Sequence, residues 1–233
     1  MSYQKIDETG KYCPFPGVTV VSMVKPEDSE FWKTFQTFLA QDAEIAQYFS
    51  PLPSESYHAT TMNLTTASEV KGSFEDFIKN FAWFHLKLAE ELKLDAKDLP
   101  LEFNGVHAQG VIQLVVNFPE EQRQRIFKLA DNYDMPQKVP PFFHMTLAYQ
   151  FRLCDSAVLI GITQRLNDKF KVLFEGKKIN LMPPALSSFE DMASFKPWNG
   201  SDYPFNKKQS FEPQSMFHHA AKGNLTTSAP KLK

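Results

Sequence analysis

The sequence predicts an α+β fold in which one pattern of strands and helices occurs twice. Two observations predict it: β-branched runs of strand length alternate with helical stripes of apolar residues, and proline, serine or aspartate stands where helices would start. Each half of the chain, about residues 14–109 and 110–197, shows the order strand–helix–strand–helix–strand. We expect residues 1–197 to form one domain, since this length suits a single core.

In the first half, the run from Val18 to Val24 is β-branched and follows a Pro-Gly turn. Pro26 then starts a helix whose acidic first turn suits the positive end of the helix dipole. Its stripe of phenylalanines should end in the proline-rich segment 51–53. The remaining predicted elements are a strand over 57–64, a helix that Ser73 caps, and a strand over 101–108.

The second half repeats this order after Gly110. Glutamates after Pro119 open its first helix, and Asp155 or Ser156 caps its second. The chain has 22 phenylalanines, and we interpret most of them as core residues. The predicted strands of this half are Val111–Val116 and Phe142–Phe151, followed by extended segments over Val172–Met182.

Composition excludes several classes of protein. The 25 basic and 27 acidic residues give a net charge of -2, which argues against binding to duplex DNA along a broad basic face. No apolar run reaches the ~20 residues of a membrane span, and the first residues lack an apolar secretory core. The two cysteines form no disulfide framework, which favours a cytoplasmic location. We expect a monomer whose residues 198–233 form a poorly ordered polar tail.

The middle strand of each half contains the triplet His-x-Thr, as His58-Ala59-Thr60 and His144-Met145-Thr146. Positions i and i+2 of a strand project to the same face, so each strand presents an imidazole and a hydroxyl together. One such triplet would carry little weight, but two copies on corresponding strands of a repeat are a specific signal. Tyr149 has the wrong parity to share this face unless a bulge intervenes.

Two imidazoles across a groove can divide acid–base work, because histidine titrates near pH 6.5. One ring accepts a proton from an attacking water, and the other donates a proton to a leaving alkoxide. The hydroxyls of Thr60 and Thr146 can donate hydrogen bonds to the nonbridging oxygens of a phosphate. We expect no cofactor and no metal, since two histidines and two threonines are a poor ligand set for zinc.

The double motif resembles the 2H phosphoesterase superfamily, which includes the LigT-like RNA 2′,3′-cyclic phosphodiesterases. The resemblance covers roughly residues 14–197, and the segments 14–21 and 184–192 are similar to a little-characterised, mostly bacterial branch. It implies a bilobal fold, with two antiparallel sheet lobes and outer helices around a central groove. It also implies cleavage of cyclic or 2′-linked phosphodiesters of a small nucleotide or an RNA terminus.

By this resemblance, His58 and His144 are the catalytic pair, with His144 as general base and His58 as general acid. Thr60 and Thr146 bind the phosphate, and Phe142 shares the face of His144 and is placed to stack on a base. The first motif departs from the family pattern, because Thr61 follows where a bulky apolar residue is usual. No equivalent is evident in the sequence for the extra arginine or lysine that some members place on the phosphate.

Three alternatives remain open at this stage. The groove could hold a nucleotide or RNA end without turnover, or the protein could act through its tail as an interaction partner. As a third alternative, the substrate could be a 2′,5′-linked oligonucleotide or an ADP-ribose cyclic phosphate. His85 is predicted to lie at the surface of a helix or its boundary, and His107 to be structural, with groove lining as its alternative.

Overall fold

The computed structural model of the chain describes residues 4–205. The predicted tail from residue 206 to 233 lies outside the described residues, as do residues 1–3. Within the described part, the α-helices are α1 (Ser29–Gln41), α2 (Ala43–Tyr48), α3 (Phe74–Asn80), α4 (Ala82–Leu94), α5 (Glu120–Asn132) and α6 (Ser156–Phe174). The strands are β1 (Gly17–Met23), β2 (Phe49–Pro51), β3 (His58–Thr66), β4 (Leu99–Gln109), β5 (Val111–Asn117), β6 (Phe143–Gln150), β7 (Ile179–Leu181), β8 (Ala185–Phe189) and β9 (Phe195–Pro197).

The strands form one antiparallel sheet in the order β7-β4-β5-β6-β3-β1-β8-β9, with β2 paired to β6. The predicted α+β fold class is confirmed. The order is symmetric about the contact between β6 and β3, the two strands that carry the His-x-Thr triplets. The sheet therefore divides into two lobes that meet at these strands.

Each lobe contains strands from both predicted halves of the chain. β4 belongs to the first half in sequence but pairs with β5, whereas β8 of the second half pairs with β1. The β4–β5 hairpin turns at Gly110, whose φ of 68° is a conformation that glycine adopts without strain. Because each half supplies an outer strand to the lobe of the other, the halves 14–109 and 110–197 are interlocked.

The single helix predicted after Ser73 is divided at Phe81 into α3 and α4, and two other helix ends also differ from the predicted ones. The first helix stops at Asp42, whose carboxylate accepts hydrogen bonds from the backbone of Glu44 and Ile45 and starts α2. The extended segment predicted from Val172 is wrong at its start, because α6 continues to Phe174. The Phe174 ring stacks on Phe103 with centroids 5.0 Å apart, and this tertiary contact favours the extra helical turn.

The predicted phenylalanine core is present between α1, α6 and the sheet. Trp32, Phe35 and Phe170 are fully buried, and the rings of Phe35 and Phe170 lie 4.3 Å apart. Such aromatic pairs add stability beyond their buried area. Among the described residues, no helix is long and apolar enough to cross a membrane.

The surface or boundary position predicted for His85 is wrong. His85 is only 2% exposed, and its ring lies 4.9 Å from the Trp198 ring. Trp198 belongs to the predicted tail, whose described residues pack on α3 and α4 and end with Phe205 buried. These residues cover His85 with apolar side chains, which explains its burial. No sequence pattern within α4 predicts this burial.

Acid should destabilise the protein through His85. Burial lowers the His85 pKa to about 4, so the unfolded chain takes up a proton between pH 6.5 and 4 while the folded chain does not. The free energy of unfolding therefore decreases as the pH falls below 6.5, and His85 accounts for about 1–3 kcal/mol of this decrease. Urea unfolding at pH 7 and pH 5 should show a smaller loss for His85→Leu than for the wild type. Equal losses in the two proteins would contradict this account.

Candidate active site

The two His-x-Thr triplets meet at the centre of the sheet. The register between β3 and β6 pairs Ala59 with Met145, the middle residues of the two triplets. In an antiparallel pair, this register places His58 across from Thr146 and Thr60 across from His144. The pairing of β3 with β6 thus brings the two imidazoles and two hydroxyls of the triplets next to one another.

Side-chain alternation puts this quartet on the open face of the sheet. Phe143, Met145 and Leu147 are buried, while His144 and Thr146 between them stay partly accessible. The same holds for β3, where Ala59 is buried between His58 and Thr60. The four side chains and Phe142 line one groove of about 660 Å³, a volume in the usual range of ligand sites.

His58 is held in a fixed orientation. Its Nδ1 lies 2.7 Å from the backbone carbonyl oxygen of Ser56, and its ring lies 4.0 Å from the ring of Phe195. Because a carbonyl only accepts, Nδ1 carries the proton of the neutral ring and Nε2 is the atom that can exchange protons. Burial lowers the pKa of His58 to about 4, and the Ser56 carbonyl counteracts part of this shift.

His144 has a related but looser environment. Burial lowers its pKa, and the backbone carbonyl of Phe142 opposes the shift. Unlike Nδ1 of His58, however, its Nδ1 has no hydrogen-bond partner of good geometry within residues 4–205. The Phe142 ring is half exposed and lies 5.3 Å from the His144 ring, so it is available beside the imidazole.

Lys5 is a groove residue that sequence reasoning missed. Lys5 lines the groove, and its ammonium lies 5.2 Å from the Phe15 ring and 5.5 Å from the Tyr149 ring. Its charge lowers the pKa of both His58 and His144, and the surrounding protein lowers the pKa of Lys5 itself. No pattern in the polar first residues distinguishes Lys5 from any other surface lysine.

Tyr149 also lines the groove, although its parity predicts the opposite face. The register between β5 and β6 shifts between Ile112 and Gln113, which leaves Leu147 as the extra residue of a bulge. The bulge turns Tyr149 to the side of Thr146, and the two side chains interact. Burial raises the pKa of Tyr149 to about 12, so its hydroxyl stays protonated and can donate a hydrogen bond.

An aromatic wall closes the groove on the side of β1, β8 and β9. The rings of Phe189 and Phe195 stack 4.8 Å apart, and Phe15 stacks on Phe189 at 6.5 Å. Gly17 permits this packing, because a Cβ atom there would lie 2.4 Å from the Phe189 ring. The wall holds His58 in place through Phe195.

Other cavities and side-chain clusters of the described residues are less suited to acid–base catalysis by histidines. No cluster of three or more potential metal ligands among His, Cys, Asp and Glu occurs in residues 4–205. A second cavity of about 430 Å³, between α4 and α5, contains Arg125 and Glu91 but no histidine. His107 is exposed on β4 and does not line the groove.

Comparison with known proteins agrees with this fold. A chain from Agrobacterium tumefaciens str. C58, the conserved protein of unknown function ATU0111, superimposes with a TM-score of 0.68 at 18% identity, covering 84% of this chain and 90% of that one. Usb1 of Kluyveromyces marxianus with uridine monophosphate is more remote, with a TM-score of 0.44, 13% identity, and coverage of 79% and 98%. The comparison with curated proteins gives no match.

A family model also matches the N-terminal part of the chain. Residues 5–75 match 2H-phosphodiest, described as a domain of unknown function (DUF1868). The matched region contains β1, β3 and the first His-x-Thr triplet, together with Lys5. Over residues 5–75, the chain is therefore similar to this family.

Proposed function

We propose that the protein is a metal-independent phosphodiesterase that hydrolyses 2′,3′-cyclic phosphates of nucleotides or RNA ends. One observation carries the proposal: the β3–β6 register brings two imidazoles and two hydroxyls together over a single groove. This set suits acid–base chemistry on a phosphate, and the family match points to a hydrolase of the phosphodiesterase type.

In the proposed reaction, neutral His144 accepts a proton from water as the water oxygen forms a bond to phosphorus. The bond from phosphorus to one ribose oxygen breaks, and the charged His58 donates its Nε2 proton to that oxygen. The product is a phosphomonoester beside a free hydroxyl. The hydroxyls of Thr60 and Thr146 donate hydrogen bonds to the nonbridging oxygens, whose negative charge grows in the transition state.

The position of Lys5 supports the handling of an anion in this groove. An ammonium group that lines the groove attracts a phosphate, and Tyr149 adds a neutral donor beside Thr146. A bound phosphate also raises the pKa of each histidine, because an anion stabilises the imidazolium. Substrate binding thus makes it easier for His58 to carry the proton that it donates.

A substrate panel in EDTA tests the proposal. We expect turnover of 2′,3′-cyclic mononucleotides or of RNA with a terminal cyclic phosphate, and an undiminished rate when EDTA is present. Turnover of only 2′,5′-oligoadenylate or ADP-ribose cyclic phosphate would reassign the substrate. Binding without product would favour a binding module, and a rate that EDTA abolishes and zinc or manganese restores would refute the mechanism.

The pH profile should depend on Lys5. We expect a bell-shaped profile of kcat/KM with an acidic optimum in the free enzyme, because burial lowers the pKa of both histidines. Lys5→Met removes a charge that opposes protonation, so both histidine pKa values rise and the profile moves to higher pH. The loss of its contact to phosphate should also lower kcat/KM about 10-fold. Lys5→Arg is the control that keeps the charge, and an unchanged profile in Lys5→Met would exclude this role.

A further inference from the structure

An exposed group of aromatic side chains lies at the junction of α3 and α4. We call the rings of Phe77, Phe81 and Trp83 the aromatic shelf. Trp83 is 73% exposed and Phe81 is 48% exposed, while the Phe77 and Phe81 rings lie 4.7 Å apart. The core does not require these two exposed rings, because Ile78 and Leu88 supply the buried faces of the two helices. A cluster of exposed large aromatic residues indicates a binding surface.

The cavity beside the shelf adjoins the catalytic groove. This cavity of about 320 Å³ shares Leu64 and Thr65 with the groove. These two residues lie near the far end of β3 from His58, about 20 Å away at the usual rise per residue. A chain that follows β3 from the quartet to the shelf must therefore be longer than one nucleotide.

Two lysines lie close to the shelf, where they could contact phosphates. Lys138 lines the shelf cavity and donates a hydrogen bond to the backbone carbonyl of Leu64 at 2.7 Å. The ammonium of Lys87 lies 5.3 Å from the centre of the Trp83 ring. Within residues 4–205, no carboxylate lines this cavity.

We propose that the substrate is a single-stranded RNA end and that the aromatic shelf binds the nucleotides preceding its terminal phosphate. This inference rests on the proposed function and narrows its substrate class. Bases stack on aromatic rings without sequence preference, and lysines nearby contact the phosphates between them. The terminal phosphate lies at the histidines, Phe142 contacts the terminal nucleoside, and earlier bases stack on Phe81 and Trp83.

The test compares a 2′,3′-cyclic mononucleotide with a short oligoadenylate that ends in a 2′,3′-cyclic phosphate. We expect the wild type to prefer the oligonucleotide in kcat/KM. Trp83→Ala and Phe81→Ala should lower kcat/KM for the oligonucleotide about 5- to 100-fold and leave the mononucleotide unchanged, as expected for one lost stacking contact. Phe127→Ala is the matched control, because Phe127 is a partly exposed aromatic residue of α5 outside both cavities.

A binding measurement separates this inference from the proposed function. Fluorescence anisotropy of a labelled oligoadenylate with a 3′-phosphate, which has no cyclic phosphate to cleave, reports binding without turnover. Weaker binding by Trp83→Ala than by Phe127→Ala supports the shelf even if no cyclic phosphate is hydrolysed. Equal binding by the two variants would overturn the inference about the shelf. Equal kcat/KM of the wild type on the mononucleotide and the oligonucleotide would also overturn it. In either case, hydrolysis of the mononucleotide would leave the proposed function intact.

Discussion

Replacing His58 or His144 with alanine should each lower kcat/KM for a 2′,3′-cyclic nucleotide by about 10²–10⁴-fold. The reason is that each imidazole is expected to move a proton in the transition state, and no other histidine among residues 4–205 lines the groove. Steady-state rates with purified variants measure the effect. His107→Ala is the matched control, since this exposed histidine of β4 lies outside the groove and its loss should leave the rate unchanged.

An activated substrate distinguishes the general acid from the general base. A nitrophenyl phosphodiester has a leaving group that departs without a proton, so His58→Ala should lose much less activity on it than on the cyclic nucleotide. His144→Ala should lose activity on both substrates, because water still has to be deprotonated. The reverse pattern would exchange the two roles, and full activity in both variants would remove the histidines from the mechanism.

The second large effect is expected at the hydroxyls of Thr60 and Thr146. Thr60→Val and Thr146→Val each remove one donor to the phosphate and should lower kcat by about 10²–10³-fold. Valine keeps the shape and strand preference of threonine, so thermal unfolding should change little. Single-turnover rates separate this loss of transition-state stabilisation from any change in substrate affinity.

Thr65→Val serves as the control for these two substitutions. Thr65 also lines the groove, but it lies near the far end of β3 from His58. We expect it to retain nearly full kcat on a mononucleotide. Full kcat in Thr60→Val and Thr146→Val would mean that the hydroxyls do not stabilise the phosphate, and that their place on the strands reflects β-propensity alone.

The elements that the sequence predicted best are those with a strong local period. Ser73 caps α3 by accepting a hydrogen bond from the backbone of Asp76, as its position before an apolar stripe predicts. The strands that carry the two triplets also lie where predicted, to within two residues at each end. The break at Asp42 was missed, because the apolar stripe continues on both sides of it.

The positions of three residues could not be predicted, because they depend on contacts between segments that are distant in sequence. Tyr149 reaches the groove through a bulge that arises from the pairing of β6 with β5. His85 is buried because Trp198, more than a hundred positions away, packs on its ring. Lys5 joins the site because its segment lies near Phe15 and Tyr149.

By itself, the sequence determined that each of two strands presents a histidine and a threonine on one face. This holds because strand alternation has a period of two residues and needs no knowledge of the neighbouring strand. Only the tertiary structure decided that Ala59 pairs with Met145, that each half supplies an outer strand to the other's lobe, and that a lysine and a tyrosine complete the groove. Strand partners, bulges and burial are set by packing between segments distant in sequence, and that packing fixes the surroundings of the quartet.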